Sequence, residues 1–325
     1  MTSRRAFIAT LALAVLPPVV AETQQGGKTW RLGFLGGGSP SGYAPHVEAL
    51  RLGLRDHGYV EGRDVTIEYR WADGRYDRLP ALARSLVDLN VEVIITQGTP
   101  AALVAKQTTA TIPIVMAIVG NPDETGIVAS LARPGGNVTG SSYFYAELNA
   151  KRLELAKLAL PRLNSVAVLL NPDNSAMASV LNLMEESARS LRLTLWRAPV
   201  RALDELDATL ALAKTHAQAL AVIDEGLFIA NAKRVADVAL RHRVPSIGFS
   251  EYCEAGGLLA YGVDFPRIWR RSMYFVDRIL KGAKPADLPI QQATSFELII
   301  NLKTARAIGL TIPPSMLARA DRIIE

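Results

Sequence analysis

Short apolar runs alternate with helical patterns along most of the chain, and this alternation is the strongest constraint on its fold. The clearest run, residues 112–119, is apolar throughout and rich in β-branched residues, and it stops at Gly120, Asn121 and Pro122. A run of this kind is typical of a strand covered on both faces. Strands joined through helices predict a doubly wound α/β sheet.

The alternation occurs twice, which predicts two lobes. From residue 147 a second unit begins, and its strand at 165–170 ends in the same Asn-Pro-Asp triplet that follows Gly120. The chain has 325 residues, of which 49% are hydrophobic, so it can bury two cores. The pattern predicts two Rossmann-like α/β lobes, with a helix over residues 124–131 closing the first run. We expect lobe 1 to comprise residues 29–142 and 251–284, and lobe 2 to comprise residues 143–250 and 285–325.

The N-terminus has the pattern of an export signal. Arg4 and Arg5 precede an apolar core at residues 6–16, and small residues stand at 19–21. The core is too short to span a membrane. Residues 1–21 are therefore predicted to be a signal peptide that directs the protein to the periplasm by the Sec or the twin-arginine route.

Charge and cysteine content narrow the classes of protein. Removing Arg4 and Arg5 lowers the formal net charge from +5 to +3, and the chain has no long run of like charges. Nucleic-acid binding is therefore not expected. Cys253 is the only cysteine, which excludes an internal disulfide and an acylated N-terminal cysteine. We expect a protein without a stable membrane anchor.

Two glycine-containing segments resemble nucleotide-binding motifs but fail on spacing. The glycines at 36–38 follow a predicted strand, but Ser41 occupies the position of the third glycine of G-x-G-x-x-G. Residues 27–29 imitate the end of a P-loop, but they precede the strand, and Glu22 replaces its first glycine. No nucleotide or other cofactor is expected.

Polar residues follow the predicted strands, where parallel α/β sheets place ligands. Helix N-termini at this edge also offer free N–H groups to an anion. We expect a carboxylate at the helix starts near Thr99 and Asn121, an ammonium group at Asp224 or Glu251, and a hinge at residues 141–145. The candidate ligand-binding residues are Ser39, Gly98, Thr99 and Asn121 in the first lobe, Ser142 and Tyr143 at the crossing, Asn171 and Asp224 in the second lobe, and Glu251 and Asp264 where the chain returns.

Several longer segments resemble one protein family. They are GYVEGR at 58–63, EYRWA at 68–72, GTP at 98–100, SLARPGGNVTG at 130–140 and FELIINLKTA at 296–305. The chain is similar along its mature length to ABC transporter substrate-binding proteins. The resemblance implies a type I periplasmic-binding-protein fold, in which two lobes joined by three crossovers close on a ligand. It also implies partnership with a membrane permease and an ATPase, and a small ligand such as an amino acid or an aromatic or organic acid.

An α/β enzyme acting on a small organic acid is the alternative. Residues 248–252 lack the last glycine of a nucleophile elbow, and Glu251 and Asp264 would need the fold to bring them together as acid and base. The histidines do not have metal-ligand spacing and are expected in surface or packing roles. They are His46, His57, His216 and His242. We therefore expect no catalytic residues and no metal site.

Overall fold

The computed structural model describes residues 29–325 as two α/β lobes. The predicted signal peptide, residues 1–21, lies outside the described residues. The strands are β1 (Trp30–Gly36), β2 (Val65–Trp71), β3 (Val93–Gln97), β4 (Ile114–Gly120), β5 (Val138–Tyr143), β6 (Ser165–Leu170), β7 (Thr194–Pro199), β8 (Ala219–Val222), β9 (Ser246–Gly248), β10 (Leu259–Gly262), β11 (Gln291–Gln292), β12 (Glu297–Asn301) and β13 (Arg322–Ile324).

Helices separate most of these strands. They are α1 (Ala44–Asp56), α2 (Leu79–Asp88), α3 (Thr99–Thr108), α4 (Tyr145–Ala159), α5 (Met177–Leu191), α6 (Leu206–His216), α7 (Gly226–Ile229), α8 (Ala232–Arg241), α9 (Ser250–Glu254), α10 (Phe265–Leu280), α11 (Leu302–Ile308) and α12 (Pro314–Leu317). Single 3₁₀ turns lie at Tyr76–Arg78, Leu203–Glu205 and Pro285–Asp287. Within residues 29–325, none of the helices has the length and hydropathy to cross a membrane.

The strands form two sheets that run parallel almost throughout. The first sheet has the order β11-β5-β4-β3-β1-β2, and the second has the order β13-β12-β10-β9-β8-β6-β7. Among the strands of residues 29–325, only β10 and β12 pair in antiparallel fashion. Every residue of β3 and β4 is buried, as expected for central strands with helices on both faces. The doubly wound architecture predicted from the alternating pattern is confirmed.

The chain crosses between the lobes three times. It passes from β5 to α4 at residues 143–145, from β10 to α10 at 262–265, and from β11 to β12 at 292–297. The third crossing is held beside the first, because the Ala293 N–H donates to the Ser142 carbonyl over 2.9 Å. Three adjacent connections of this kind allow one lobe to rotate relative to the other.

The strand pairing differs from the predicted division of the chain at two points. Residues 251–284 were expected in the first lobe, but β10 pairs with β9 and β12 in the second sheet. Only α10 returns to the first lobe, where it packs on α1 and β4. The last segment is also divided, since β11 pairs with β5 while β12 and β13 extend the second sheet. The apolar pattern of β10 suits either sheet, so the sequence does not show which one it joins.

A second expectation is wrong. The helix predicted over residues 124–131 is replaced by a series of turns. Asn121 has a left-handed φ of 42°, and the Thr125 N–H donates to its carbonyl. Gly126, at a φ of 71°, then redirects the chain before a helix is established. This segment therefore leaves β4 as a compact loop.

A buried ion pair ties α4 to the second sheet. Arg152 of α4 donates two hydrogen bonds, of 2.9 and 2.8 Å, to the carboxylate oxygens of Asp224, which follows β8. Its Nε donates to the Tyr261 carbonyl in β10 over 2.8 Å. The two charged side chains are 0% and 1% exposed. Because both charges are paired and hydrogen-bonded, the desolvation of each is compensated within the lobe.

Replacing Arg152 by methionine should destabilise the protein by about 3–5 kcal/mol, because Asp224 would keep a buried charge without its partner. Arg197→Met is the matched control, since Arg197 forms an exposed pair with Glu185. The free energy of unfolding of the control should fall by less than about 1 kcal/mol. Urea denaturation of both variants measures the difference, and equal losses would contradict a structural role for the buried pair.

Candidate functional site

A cavity lies between the two lobes at the carboxyl ends of their strands. The first sheet contributes the ends of β1, β3, β4 and β5, and the second contributes the turns after β6 and β8. This is the edge at which parallel α/β sheets bind ligands. The lining residues are Gly37, Tyr43, His46, Tyr76, Gln97, Gly98, Thr99, Pro100, Ile118, Val119, Gly120, Tyr143, Tyr145, Asn174, Asp224, Gly226, Ile229, Phe265 and Trp269.

Aromatic side chains form much of the wall. Tyr43, the residue before α1, is stacked on Trp269 of α10, with ring centroids 5.7 Å apart and an interplanar angle of 20°. Tyr143, at the end of β5, meets Phe265 edge-on at 5.6 Å. Tyr145 lies 5.5 Å from the Tyr143 ring. Such a wall favours a ligand with an aromatic or flat apolar group.

The N-terminus of α3 faces this cavity without a side-chain cap. The N-cap residue is Gly98, whose φ of 80° suits glycine, and no side chain accepts a hydrogen bond from the first turn. Thr99 is buried, and Pro100 fits the first turn because it has no N–H to satisfy. The remaining N–H groups and the positive end of the helix dipole favour an anionic group here.

The opposite side of the cavity, in the second lobe, is acidic. Asp224 and Glu225 stand next to each other after β8, and Arg152 pairs only with Asp224. No cationic side chain within residues 29–325 lies within ion-pair distance of Glu225. Burial raises the pKa of Glu225 to about 7, while hydrogen bonds from Tyr76 and from the Leu227 N–H act in the opposite direction. When ionised, Glu225 leaves this side with a net negative charge.

The four tyrosines that line the cavity are affected by these carboxylates. Burial raises the pKa of Tyr43, Tyr76, Tyr143 and Tyr145 well above the usual range, and nearby carboxylates raise each pKa further. All four therefore stay neutral at physiological pH. They can donate hydrogen bonds from their hydroxyl groups while presenting their rings to the cavity.

Several contacts join the lobes across the cavity. The Tyr76 hydroxyl in the first lobe donates to the Glu225 carboxylate in the second. The Tyr43 hydroxyl donates to the Gly226 carbonyl over 3.5 Å. Gly42 lies against Ala230 so closely that a Cβ on Gly42 would meet the Ala230 carbonyl oxygen at 2.3 Å. The lobes are thus closed on each other.

Closure leaves little free volume. The cavity has a volume of about 30 Å³, enough for one or two waters. A ligand larger than a few atoms needs more space, so the lobes must separate to admit one. The ligand would then replace some of the direct contacts between the lobes.

Two buried polar side chains in the lining have no hydrogen-bond partner. They are the imidazole of His46, at 3% exposure, and the hydroxyl of Tyr145, at 3% exposure. Buried polar groups are normally satisfied, so unpaired ones in a cavity wall indicate where a ligand is recognised. The packing role expected for His46 is confirmed by its contacts with the rings of Tyr43, Phe265 and Trp269, but its unpaired nitrogens in the cavity wall were not predicted.

The structure brings four of the predicted ligand residues together in the lining. They are Gly98, Thr99, Tyr143 and Asp224. Tyr143 is placed there by the last position of β5, and Gly98 and Thr99 by the turn from β3 into α3. The carboxylate of Asp224 is engaged by Arg152, so its charge is already neutralised.

The other six predicted residues lie outside the lining. Ser39 accepts a hydrogen bond from the Gly42 N–H, and the Oδ1 atom of Asn121 accepts from the Tyr145 N–H at the start of α4. Asn171 accepts a hydrogen bond from the Asp173 N–H within its own turn. The asparagines of the two Asn-Pro-Asp triplets therefore have different hydrogen-bond partners. Ser142 is buried within β5.

The last two of these, Glu251 and Asp264, would also be the acid and base of the alternative enzyme if the fold brought them together. Asp264 caps α10 by accepting from the Arg267 N–H over 2.9 Å, whereas the Glu251 carboxylate faces His46 at 3.6 Å. They therefore have separate partners. Among residues 29–325, no group of three or more histidine, cysteine or acidic side chains is arranged to hold a metal ion.

Sequence reasoning missed several residues of the site. Tyr43 and His46 lie at the start of α1, and Tyr145 begins α4 directly after the crossing. These positions follow strand ends, which is a usable signal. Trp269 belongs to α10, whose return to the first lobe was expected, but its face toward the cavity depends on how α10 packs on α1.

Comparisons with known proteins agree with this architecture. The family model described as "ABC transporter substrate binding protein" matches residues 40–324. The tyrosine-binding protein of Clostridioides difficile is 26% identical over 258 residues, which cover 79% of this chain and 74% of that protein.

Solved structures show the same fold. A conserved domain protein from Vibrio cholerae is 28% identical, with a TM-score of 0.84, and the match covers 91% of this chain and all of that one. An ABC domain from Streptococcus pneumonia in complex with L-Trp is 24% identical, with a TM-score of 0.83 and the same coverage. The two-lobed fold and the family resemblance predicted from the sequence are confirmed. The chain belongs to the ABC transporter substrate binding protein family.

Proposed function

We propose that this protein captures an aromatic amino acid between its lobes in the periplasm and presents it to the permease and ATPase of an ABC importer. The observation that carries the proposal is the distribution of charge across an aromatic cavity. The first lobe offers a helix N-terminus, and the second offers an excess carboxylate. A zwitterion would be held at both ends, one by each lobe.

The carboxylate end belongs at α3. The uncapped first turn presents N–H groups beside Thr99, and the lining has no lysine or arginine to compete for an anion. Backbone N–H groups at a helix N-terminus are a sufficient site for a carboxylate.

The ammonium end belongs near the turn after β8. Asp224 is neutralised by Arg152, so Glu225 supplies the excess negative charge, and Tyr76 links it to the lining. An approaching ammonium group favours the ionised form of Glu225 and lowers its raised pKa. An organic acid without an amine would meet only repulsion on this side.

The aromatic part of the ligand belongs between the rings of Tyr43, Tyr145 and Trp269. The unpaired Tyr145 hydroxyl offers a hydrogen bond to a polar ring substituent or to the ligand backbone. The relatives support this ligand class, because one is named a tyrosine-binding protein and another was solved with L-Trp.

Closure follows from where the two ends of the ligand bind. A ligand bound by α3 alone gains nothing from closure, whereas a zwitterion that also reaches the Glu225 side gains a second charged contact only when the lobes meet. The ligand therefore shifts the population toward the closed form through its greater affinity for that form. The closed form is the one that a permease would recognise.

We propose binding without turnover. Glu251 and Asp264, the acid and base of the alternative enzyme, face different partners. Incubation of the purified protein with L-tyrosine or L-tryptophan, followed by mass spectrometry, should return the amino acid unchanged. A product formed in proportion to protein would favour the enzyme.

The ligand class is tested by calorimetric titration with L-tyrosine, tyramine and 3-(4-hydroxyphenyl)propanoic acid. L-tyrosine should bind, and each analogue that lacks one charged group should bind roughly 10- to 100-fold more weakly, because a charged hydrogen bond is lost. L-tryptophan replaces L-tyrosine in a parallel series. Equal affinity for tyramine and for L-tyrosine would contradict the binding of the ligand carboxylate at the N-terminus of α3.

Glu225→Gln should weaken the binding of L-tyrosine or L-tryptophan by roughly tenfold or more, because the ammonium group loses its unneutralised carboxylate. Glu186→Gln is the matched control, since Glu186 is exposed in α5 and is not one of the lining residues. The control should bind like the unaltered protein. If both variants bind normally, Glu225 is not the ammonium site.

Gly42→Val should hold the lobes apart, because its side chain would occupy the space of Ala230 in the closed form. If this lowers the closed population tenfold, the apparent affinity for the amino acid falls about tenfold as well. Ser41→Ala, at an exposed neighbouring position, is the control. Titration together with thermal unfolding checks that the loss comes from closure and not from unfolding, and unaltered affinity would contradict closure at this contact.

A further inference from the structure

We infer that His46 and Glu251 form a proton-dependent latch between the lobes, which favours closure as the pH falls. His46 belongs to α1 on the first lobe, and Glu251 belongs to α9 on the second. This inference concerns the lobes themselves and does not depend on the identity of the ligand.

The two side chains face each other across the closed cleft. The Nε2 atom of His46 lies 3.6 Å from the Oε1 atom of Glu251, and the side chains are 4% and 22% exposed. Both imidazole nitrogens and both carboxylate oxygens are buried without a hydrogen-bond partner. If the two groups moved slightly closer, Nε2 and Oε1 would form a hydrogen bond. A proton held between them would strengthen this contact.

The surroundings leave this pair without another cation. On the first lobe, His46 packs against the rings of Tyr43, Phe265 and Trp269, of which only the tyrosine can ionise. On the second lobe, Glu254 lies on the same helix as Glu251 and raises its pKa. The other charged groups near this end of the cleft are Asp224 and Glu225, together with Arg152, which is engaged by Asp224.

The direction of the pH effect follows from burial. Burial raises the pKa of Glu251, and contact with His46 opposes part of that rise. In the closed form a deprotonated pair carries a buried negative charge, whereas one added proton makes the pair neutral overall, whether it resides on the imidazole or on the carboxylate. Opening returns both groups to water. The closed form therefore binds more protons than the open form, and closure is favoured as the pH falls and weakened as it rises.

Because burial raises the pKa of Glu251, its protonation moves toward neutral pH, and the measurement therefore covers the range from about pH 5.5 to 8.5. If closure raises the proton affinity of the pair by one pKa unit, the ratio of closed to open molecules changes by about tenfold. At a given ligand concentration, a more acidic medium would then retain the ligand for longer.

The test measures closure without any ligand. Fluorophores are attached to Asp77→Cys and Ser175→Cys, exposed positions on opposite lobes that adjoin the lining residues Tyr76 and Asn174. The natural Cys253 is buried and does not compete for the label. Single-molecule energy transfer then gives the closed fraction from pH 5.5 to 8.5. The ratio of closed to open molecules should rise by about three- to tenfold as the pH falls through this range.

Glu251→Gln and His46→Gln should each remove most of this rise, because neither variant can form the proton-linked ion pair. Glu186→Gln is the control, because it removes an exposed carboxylate outside the cleft and should leave the full rise in place. Glu225→Gln is measured as well, since Glu225 is another buried carboxylate of the cleft whose pKa is raised by burial. Circular dichroism verifies that each variant is folded. Two substitutions from opposite lobes are used so that the test survives if one of them misfolds.

A pH dependence that persists undiminished in both Glu251→Gln and His46→Gln would overturn the inference. Loss of the effect only in Glu225→Gln would assign it to that carboxylate instead. Because no amino acid is present in the measurement, a negative result here leaves the proposed ligand class unaffected. Conversely, a failure to bind L-tyrosine or L-tryptophan leaves the latch unaffected.

Discussion

The cleft depends on the buried pair between Arg152 and Asp224. One guanidinium holds together α4, which directly follows the first crossing, the turn after β8, and the backbone of β10. The start of α4 and the turn after β8 are among the parts of the second lobe that line the cavity. Because the pair is dry, its geometry is fixed by two parallel hydrogen bonds that a more mobile surface pair would not maintain. The second lobe can therefore move as one body against the first.

This neutralisation also gives the adjacent Glu225 its importance. Two carboxylates and one guanidinium leave one negative charge at the edge of the cavity, and that charge is stabilised only by neutral donors such as the Tyr76 hydroxyl. A carboxylate in this state is costly to bury, as its pKa of about 7 shows. A cationic group supplied by a ligand relieves this cost. The site is thus built to favour closure with a ligand over closure without one.

The sequence allowed the fold to be predicted more completely than the site. Alternating runs such as β4, which ends abruptly at Gly120, identify strands and their order in the chain, and strand ends located Gly98, Thr99, Tyr143 and Asp224 at the cavity. What the sequence does not show is which acidic residue is already paired. In the sequence, Arg152 resembles any charged residue of an amphipathic helix. Its pairing with Asp224, and not with Glu225, is determined only when α4 packs on the second sheet. The sheet to which β10 belongs is likewise a long-range choice, because a short apolar strand suits either lobe.

Opposing effects govern the balance between the open and closed forms. Aromatic contacts and the close approach of Gly42 to Ala230 favour closure, since they bury apolar surface and allow backbone to meet backbone. The carboxylates of Glu225 and Glu251 oppose it, because closure removes them from water without a permanent cation. A binding protein benefits from this opposition. If closure were strongly favoured by the protein alone, the ligand would add little to it, and a permease could not distinguish loaded from unloaded molecules. Because the charges of the cleft are incompletely compensated, the proposed zwitterion, or a proton on the proposed His46–Glu251 latch, would decide the conformation.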